Sequence, residues 1–285
     1  MLLALLVAAT LPVAATTTDL RDLVAAVGGE RVRVESLTDP RHDPHARELL
    51  PRQLDRLRDA ALVVRIGLDH EPWLRRAVTA AGARGVDLDL SRAVAILDAD
   101  TPRLRADARP HLHAYGNPHY WLDPENARLL TARIGDTLAA LDPGGRAVFA
   151  ANRASFLARL DAGLARWRAQ MAPFAGTRIV VAHDTWPYFA RRFELVIAAA
   201  VEEQPGVPPS AAHLARLVER MRAADVRALV AEPGAAPAIL RRLADTTGAR
   251  VVTLAPSVGA QPEAHDYIAL FDLNVARLAA ALARR

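Results

Sequence analysis

The stretch GRAVFAANRASFLARLDAGLARWRAQM, residues Gly145–Met171, is the most strongly helical part of the chain. Its large apolar residues recur at intervals of seven, four, four, three and four positions, which places them on one face of a helix: Phe149, Phe156, Leu160, Leu164, Trp167 and Met171. A helix of about 27 residues would span roughly 40 Å. That is long for a helix inside a small domain, so we interpret it as a rigid connector between two lobes, with an ordinary packed helix as the alternative.

Short apolar runs rich in β-branched residues alternate with helical patterns on both sides of this helix, which is typical of parallel sheets covered by helices. The sequence therefore predicts an α/β protein of two lobes, each a mainly parallel sheet flanked by helices. The lobes are expected at residues 12–144 and 173–285, joined by the helix within 145–172. The predicted strands are Pro12–Thr17, Arg31–Leu37, Ala60–Ile66, Gly85–Leu90, Arg178–Ala182, Leu195–Val201, Val226–Ala231 and Arg250–Leu254.

Composition narrows the class of protein. The 285 residues are 52% hydrophobic and 24% charged, which fits a globular protein with room for two cores. There is no cysteine, which excludes disulfides, thiolate metal ligands and lipid attachment through a cysteine. All 36 basic residues are Arg and the net charge is only +4, with Asp and Glu interspersed, so a nucleic-acid-binding surface is not expected.

The first residues resemble a targeting segment. Met1–Ala9 is apolar and uncharged, and Val7-Ala8-Ala9 resembles a small-residue cleavage site, so residues 1–11 are predicted to be a signal peptide. A buried first strand is the alternative for this run. Export without a lipidated cysteine predicts a soluble periplasmic protein.

Three histidines lie in distinctive short sequence motifs: Asp43-Pro44-His45, Asn117-Pro118-His119-Tyr120-Trp121 and His183-Asp184-Thr185-Trp186. Neutral imidazole is a good zinc ligand near neutral pH. The three are separated by 74 residues (45 to 119) and 64 residues (119 to 183), far more than in a zinc finger or a His-Glu-x-x-His helix. Any one of them alone would more often complete a turn or a core hydrogen bond. Together they predict one metal site that the tertiary fold assembles.

In these three histidine motifs the chain resembles the zinc and manganese substrate-binding proteins of bacterial ABC transporters. The resemblance also includes Gly67-Leu68-Asp69-His70-Glu71-Pro72-Trp73-Leu74 and Ala231-Glu232-Pro233, and it covers nearly the whole chain. It implies two α/β lobes joined by one long helix, with the metal in the cleft between them. It further implies that His45 and His119 come from the N-terminal lobe and His183 from the C-terminal lobe.

The fourth ligand departs from the pattern of the family. An aspartate usually follows the last strand of the C-terminal sheet, where this chain has Ala255, whose side chain cannot bind a metal. The fourth position is therefore left to water or to another carboxylate. The candidates are Glu202, Glu203 and Asp266.

Three imidazoles favour zinc over manganese, because manganese prefers carboxylate oxygens. We therefore expect a periplasmic receptor, not an enzyme, that captures Zn²⁺ and delivers it to an ABC permease in the inner membrane. Mn²⁺ or another divalent transition metal is a weaker expectation. The receptor is expected to be a monomer that binds no nucleic acid, and a metallochaperone is a further candidate partner. The alternative function is a zinc-dependent hydrolase with an open fourth metal position, although no nucleophile motif supports it.

Overall fold

The computed structural model of the chain describes residues 10–40, 49–98, 116–202 and 207–283. Within these residues the backbone forms two separate four-stranded sheets, and every strand pairing in both sheets is parallel. Helices follow the strands along the chain, as parallel sheets require for their crossover connections. None of the described helices is long and apolar enough to cross a membrane.

The first sheet has the strand order β2-β1-β3-β4. Apolar residues of β1 and β3 form its buried centre, and helix α1 begins where Thr17 accepts a hydrogen bond from the backbone N–H of Leu20. The elements of this region are β1 (Leu11–Ala15), α1 (Thr18–Gly28), β2 (Val32–Ser36), α2 (Pro51–Asp59), β3 (Leu62–Arg65), α3 (Leu74–Ala81), β4 (Val86–Asp89) and α4 (Ala127–Leu141).

The second sheet repeats this order as β6-β5-β7-β8. Strand β7 is buried along its whole length, and the adjacent core contains Leu217, Met221, Leu240 and Leu243. The elements are β5 (Arg178–Val181), α6 (Pro187–Arg192), β6 (Val196–Ala200), α7 (Ala211–Ala223), β7 (Ala228–Ala231), α8 (Pro237–Thr247), β8 (Arg250–Thr253) and α9 (Tyr267–Ala283).

A long helix, α5 (Arg146–Met171), separates the two series of strands along the chain. All six apolar residues of the predicted stripe are buried, from Phe149 to Met171. At its C-terminal end the indole of Trp167 packs 5.2 Å from the ring of Phe271 and donates a hydrogen bond to Asp272. The predicted fold class, two parallel α/β lobes joined by one long helix, is confirmed, and all eight predicted strands are present with no end shifted by more than two residues.

Two compact units divide the described chain at other positions than the predicted lobes. Of the described residues, those up to residue 94 and those from 128 to 158 form the first unit, and those between 95 and 127 and from 159 onward form the second. The segment around His119 therefore packs with the second unit, although the resemblance had placed it in the N-terminal lobe. The boundaries 12–144, 145–172 and 173–285 stay a prediction, and residues 1–9 of the predicted signal peptide lie outside the described residues.

A strained turn follows β3 in the first unit. Gly67, Leu68 and Asp69 all have positive φ values, of 83°, 56° and 59°, a conformation that costs non-glycine residues about 1–2 kcal/mol each. The turn is held by the buried carboxylate of Glu71, which accepts hydrogen bonds from the backbone N–H groups of Ile66 and Gly67 at 2.8 and 3.1 Å. Contacts of this carboxylate therefore offset the strain of the backbone.

A hydroxyl completes the surroundings of Glu71, since Thr16 at the end of β1 donates to it at 2.5 Å. Burial raises the pKa of Glu71, but the imidazole of His70, whose Nδ1 atom lies 3.7 Å from Oε1, and the hydrogen bonds from Thr16 and Ile66 lower it more, so the net shift is downward. A carboxyl group with a lowered pKa stabilises the fold above its unfolded pKa of about 4.3 and loses that contribution as the pH falls through its folded pKa.

Glu71→Gln should lower the free energy of unfolding at pH 7 by about 1–3 kcal/mol, because one amide oxygen cannot accept all three hydrogen bonds. Urea denaturation measures this change. The exposed Glu30 provides a matched control, and Glu30→Gln should leave stability unchanged. Equal stability of the two variants would show that the Glu71 contacts contribute nothing to the fold.

Candidate metal centre

The carboxyl ends of three neighbouring strands in the second sheet bring His183, Glu202 and Glu232 together. Val181 of β5 is in register with Ala200 of β6 and Val230 of β7, so the residues two positions further along are His183, Glu202 and Glu232. The backbone N–H of Glu202 bonds to the carbonyl of Ala182, which carries the pairing one step beyond the strands. In doubly wound sheets this edge, beside the central strands, is where ligands bind.

His183 is partly buried against acidic side chains. Its Nδ1 atom lies 3.5 Å from Oε2 of Glu202. Burial lowers the pKa of His183, but the hydrogen bond to Glu202 and the charges of Glu232, Glu202 and Asp184 together raise it above the ordinary value. The imidazole thus lies where positive charge is stabilised, which suits a proton or a metal cation.

Glu232 is partly buried on the other side of His183. Its carboxylate accepts a hydrogen bond of 2.6 Å from the indole N–H of Trp186. Burial raises the pKa of Glu232, although the charge of His183 and hydrogen bonds from Trp186 and Thr185 act in the opposite direction. A partly desolvated carboxylate beside a histidine is a common feature of functional sites.

His119 lies close to His183 in the same compact unit. The two rings are 6.2 Å apart between centroids and nearly perpendicular, and His119 is 5% exposed. The Nδ1 atom of His119 lies 3.0 Å from Oδ1 of Asn117. Two of the three histidines of the predicted site are therefore neighbours.

Hydrogen bonds to the backbone fix the segment after His119 in the second unit. The indole of Trp121 donates to the carbonyl of Pro256 at 3.0 Å, and the hydroxyl of Tyr267 donates to the carbonyl of Trp121 at 2.5 Å. Asp123 forms a bidentate ion pair with Arg192 of α6, in which Nε and Nη2 of the guanidinium lie 2.6 and 2.9 Å from the two carboxylate oxygens. These contacts explain why the segment packs with the second unit.

The other predicted ligands fall into two groups. His45 and Glu203 lie outside the described residues. Asp266 is engaged elsewhere, because one carboxylate oxygen lies 2.8 Å from Nη2 of Arg159 and the other accepts from the backbone N–H of Ala269 at the start of α9. Among the candidates within the described ranges, only Glu202 contacts one of the histidines. No group of three His, Asp or Glu side chains in these ranges is arranged to hold a metal ion.

Ala255 is buried, and its backbone is held by hydrogen bonds. Its side chain is fully buried, and its backbone N–H and carbonyl are both bonded to the side-chain amide of Asn274 at 2.8 Å. The side-chain amide of Asn274 in α9 thus fixes the backbone at residue 255, the position where the resemblance led us to look for an aspartate. The methyl side chain of Ala255 has no atom that could bind a metal ion.

Two residues of the site were not singled out from the sequence. Glu232 was noted only as part of Ala231-Glu232-Pro233, and Asn117 only as part of the motif around His119. Placing the predicted strands in parallel register would have found Glu232, because it follows β7 as His183 follows β5. Asn117 follows no strand, so the sequence contained no comparable signal for it.

Glu202→Gln should lower the pKa of His183 in the metal-free protein, since it removes a negative charge and weakens the hydrogen bond to Nδ1. An NMR titration of the His183 ring measures this shift. Glu219→Gln changes an exposed glutamate of α7 and should leave the titration unchanged. An unaltered His183 pKa in Glu202→Gln would show that Glu202 does not influence the imidazole of His183.

The chain matches a family of transport proteins over almost its whole length. The family model for the periplasmic component A of zinc-uptake complexes, ZnuA, matches residues 13–281. The chain therefore belongs to the ZnuA family of periplasmic metal-binding proteins.

Individual relatives agree with this membership. The chain is 31% identical over 244 residues to the high-affinity zinc uptake system protein ZnuA of Paracoccus denitrificans, with 75% of this chain and 70% of that protein covered. It is 27% identical to ZnuA of Yersinia pestis, with 85% of this chain and 83% of that protein covered. These proteins are components of metal transport.

Solved structures give the same fold. A crystal structure of a ZnuA deletion mutant with zinc bound has a TM-score of 0.82 and 27% identity, covering 97% of this chain and 99% of that chain. A manganese-bound mutant of a periplasmic metal-binding protein from Candidatus Liberibacter asiaticus has a TM-score of 0.81 at 15% identity, covering 95% of this chain and 98% of that chain. The second likeness supports the fold alone.

Proposed function

We propose that this chain is an extracytoplasmic receptor that captures Zn²⁺ through His45, His119 and His183 and delivers it to an ABC permease. The observation that carries the proposal is the pairing of His119 and His183, whose ring centroids lie 6.2 Å apart at the carboxyl end of β5. Two imidazoles at this separation can turn toward one ion. Membership of the ZnuA family agrees with zinc as the cargo.

The donor set favours zinc over harder ions. Neutral imidazole nitrogen suits zinc, whereas manganese prefers carboxylate and water oxygens. Other divalent transition metals that accept imidazole, copper and nickel among them, would compete with zinc in vitro because their intrinsic affinities are similar or higher.

Water is the fourth ligand that we propose. Glu202 contacts Nδ1 of His183, a position from which it can orient the ring and leave Nε2 for the metal. The contacts of Asp266 with Arg159 and with the start of α9 argue against a role as ligand. Glu203 stays a candidate on its sequence position alone.

We also propose the setting in which the receptor works. The chain belongs to a family of periplasmic proteins, which supports the periplasm as its compartment. Its partner is the membrane permease of the same transporter, and a metallochaperone is a further candidate for delivering zinc to it. We propose that it acts as a monomer.

Receptor function does not require turnover, and we propose that the protein is not an enzyme. The carboxylates near His183 are accounted for by contacts with the imidazole and with Trp186. Zinc-loaded protein should hydrolyse none of a panel of ester, amide and phosphate substrates. Hydrolysis that disappears in His183→Ala would instead support the hydrolase alternative.

Replacing any of the three histidines with Ala should weaken zinc binding by more than about 100-fold, since loss of even an outer-shell partner typically costs 10- to 100-fold. Competition with a chelator of known affinity measures this change at neutral pH. His265→Ala is the matched control, because this ring is exposed and contacts only the backbone carbonyl of Glu263 among the bonds described for it. Unchanged affinity in His119→Ala or His183→Ala would remove that residue from the site.

A further inference from the structure

Asn117 is a buried amide with hydrogen bonds on every polar group. It is 2% exposed. Its backbone N–H donates to the carbonyl of Leu97, and its own carbonyl accepts from the hydroxyl of Tyr188 at 3.0 Å. The side chain makes contacts in two directions, toward His119 and toward Asp184.

Toward Asp184 the amide can only donate. Nδ2 of Asn117 lies 3.0 Å from the backbone carbonyl oxygen of Asp184 and 3.3 Å from its carboxylate oxygen Oδ2. Both partners are acceptors, so a flipped amide would set its oxygen against two other oxygens. The NH₂ group of Asn117 must therefore face Asp184.

Toward His119 the amide can then only accept. Oδ1 of Asn117 lies 3.0 Å from the backbone N–H of His119 and 3.0 Å from the ring atom Nδ1. The backbone N–H is a fixed donor, which gives a second reason for this orientation of the amide. Because Oδ1 has no hydrogen to offer, Nδ1 of a neutral His119 must carry the proton.

A proton on Nδ1 puts the lone pair of the ring on Nε2. The hydrogen bond that one ring nitrogen makes decides which nitrogen can bind a metal, and such partners also fix the plane of the ring. Asn117 also joins two parts of the site, since it contacts His119 on one side and the residue directly after His183 on the other.

We infer that Asn117 is a positioning residue, which holds His119 in the Nδ1–H tautomer so that Nε2 is the metal-binding atom. It acts through His119 and through the backbone of Asp184, and it does not itself bind the metal. Its effect on affinity rests on the proposed function, because it requires His119 to be a ligand. The effect on the tautomer does not require any metal.

The first measurement is made on metal-free protein at a pH where His119 is neutral. Long-range ¹H–¹⁵N NMR correlations distinguish the two neutral tautomers by the different shifts of protonated and unprotonated ring nitrogens. Wild-type His119 should be in the Nδ1–H form. Asn117→Ala should move the population toward the Nε2–H form that free histidine prefers, and Asn117→Asp, which keeps an acceptor beside Nδ1, should retain the Nδ1–H form.

The second measurement is zinc affinity by chelator competition. Asn117→Ala should bind zinc about 10- to 100-fold more weakly than the wild type. Asn152→Ala is the matched control, because Asn152 also donates a side-chain hydrogen bond to a backbone carbonyl, that of Val27, without touching a histidine. This control should change neither the tautomer of His119 nor the affinity.

The two measurements separate the two hypotheses. An Nε2–H tautomer in wild-type protein, or an unchanged tautomer in Asn117→Ala, would overturn the role of Asn117 whether or not zinc binds. Wild-type protein that has the expected tautomer but does not bind zinc would refute the proposed function. It would not contradict the inference that Asn117 stabilises the Nδ1–H tautomer of His119. If Asn117→Ala does not fold, the wild-type tautomer and that of Asn117→Asp still decide the matter.

Discussion

Parallel pairing of the strands is the constraint on which the rest of the site depends. In a parallel sheet all carboxyl ends emerge at one edge, and residues at equal distances from paired positions become neighbours. The register of β5 with β6 and β7 therefore places His183 between two glutamates that are 19 and 49 residues away in sequence (183 to 202 and 183 to 232). No local motif could create this arrangement, because each residue comes from a different strand.

The electrostatic balance at this edge suits a divalent cation. Glu202 and Glu232 raise the pKa of His183 against the opposing effect of burial, so the metal-free site stabilises an imidazolium. A metal ion bound to this ring must displace the proton of the imidazolium form, so metal binding competes with protonation of His183. The same negative charges that favour the proton also reduce the energetic cost of bringing a doubly charged ion into a partly dehydrated position.

The two sheets show how the neighbours of a carboxylate set the direction of its pKa shift. Glu71 follows β3 and Glu232 follows β7, strands that occupy equivalent places in the two sheet orders. Glu71 lies beside the imidazole of His70 and accepts hydrogen bonds from Thr16 and from two backbone N–H groups, and its pKa is lowered despite burial. Glu232 accepts a shorter set of side-chain donors, mainly Trp186, and burial prevails, so its pKa is raised. Glu71 therefore stabilises the turn after β3, while Glu232 lies beside His183.

The sequence by itself determined the fold class, the eight strands and the buried stripe of α5, because hydrophobic periodicity reports directly on which face of each element is covered. It also singled out His119 and His183 as candidate ligands by their local motifs, and the structure brings the two rings to 6.2 Å of each other. Only the tertiary structure decided that the segment of His119 packs with the second unit, that Glu202 rather than Asp266 contacts a histidine, and that the amide of Asn117 dictates a tautomer. These outcomes depend on strand register and on hydrogen-bond partners distant in sequence, and periodicity contains no information about either.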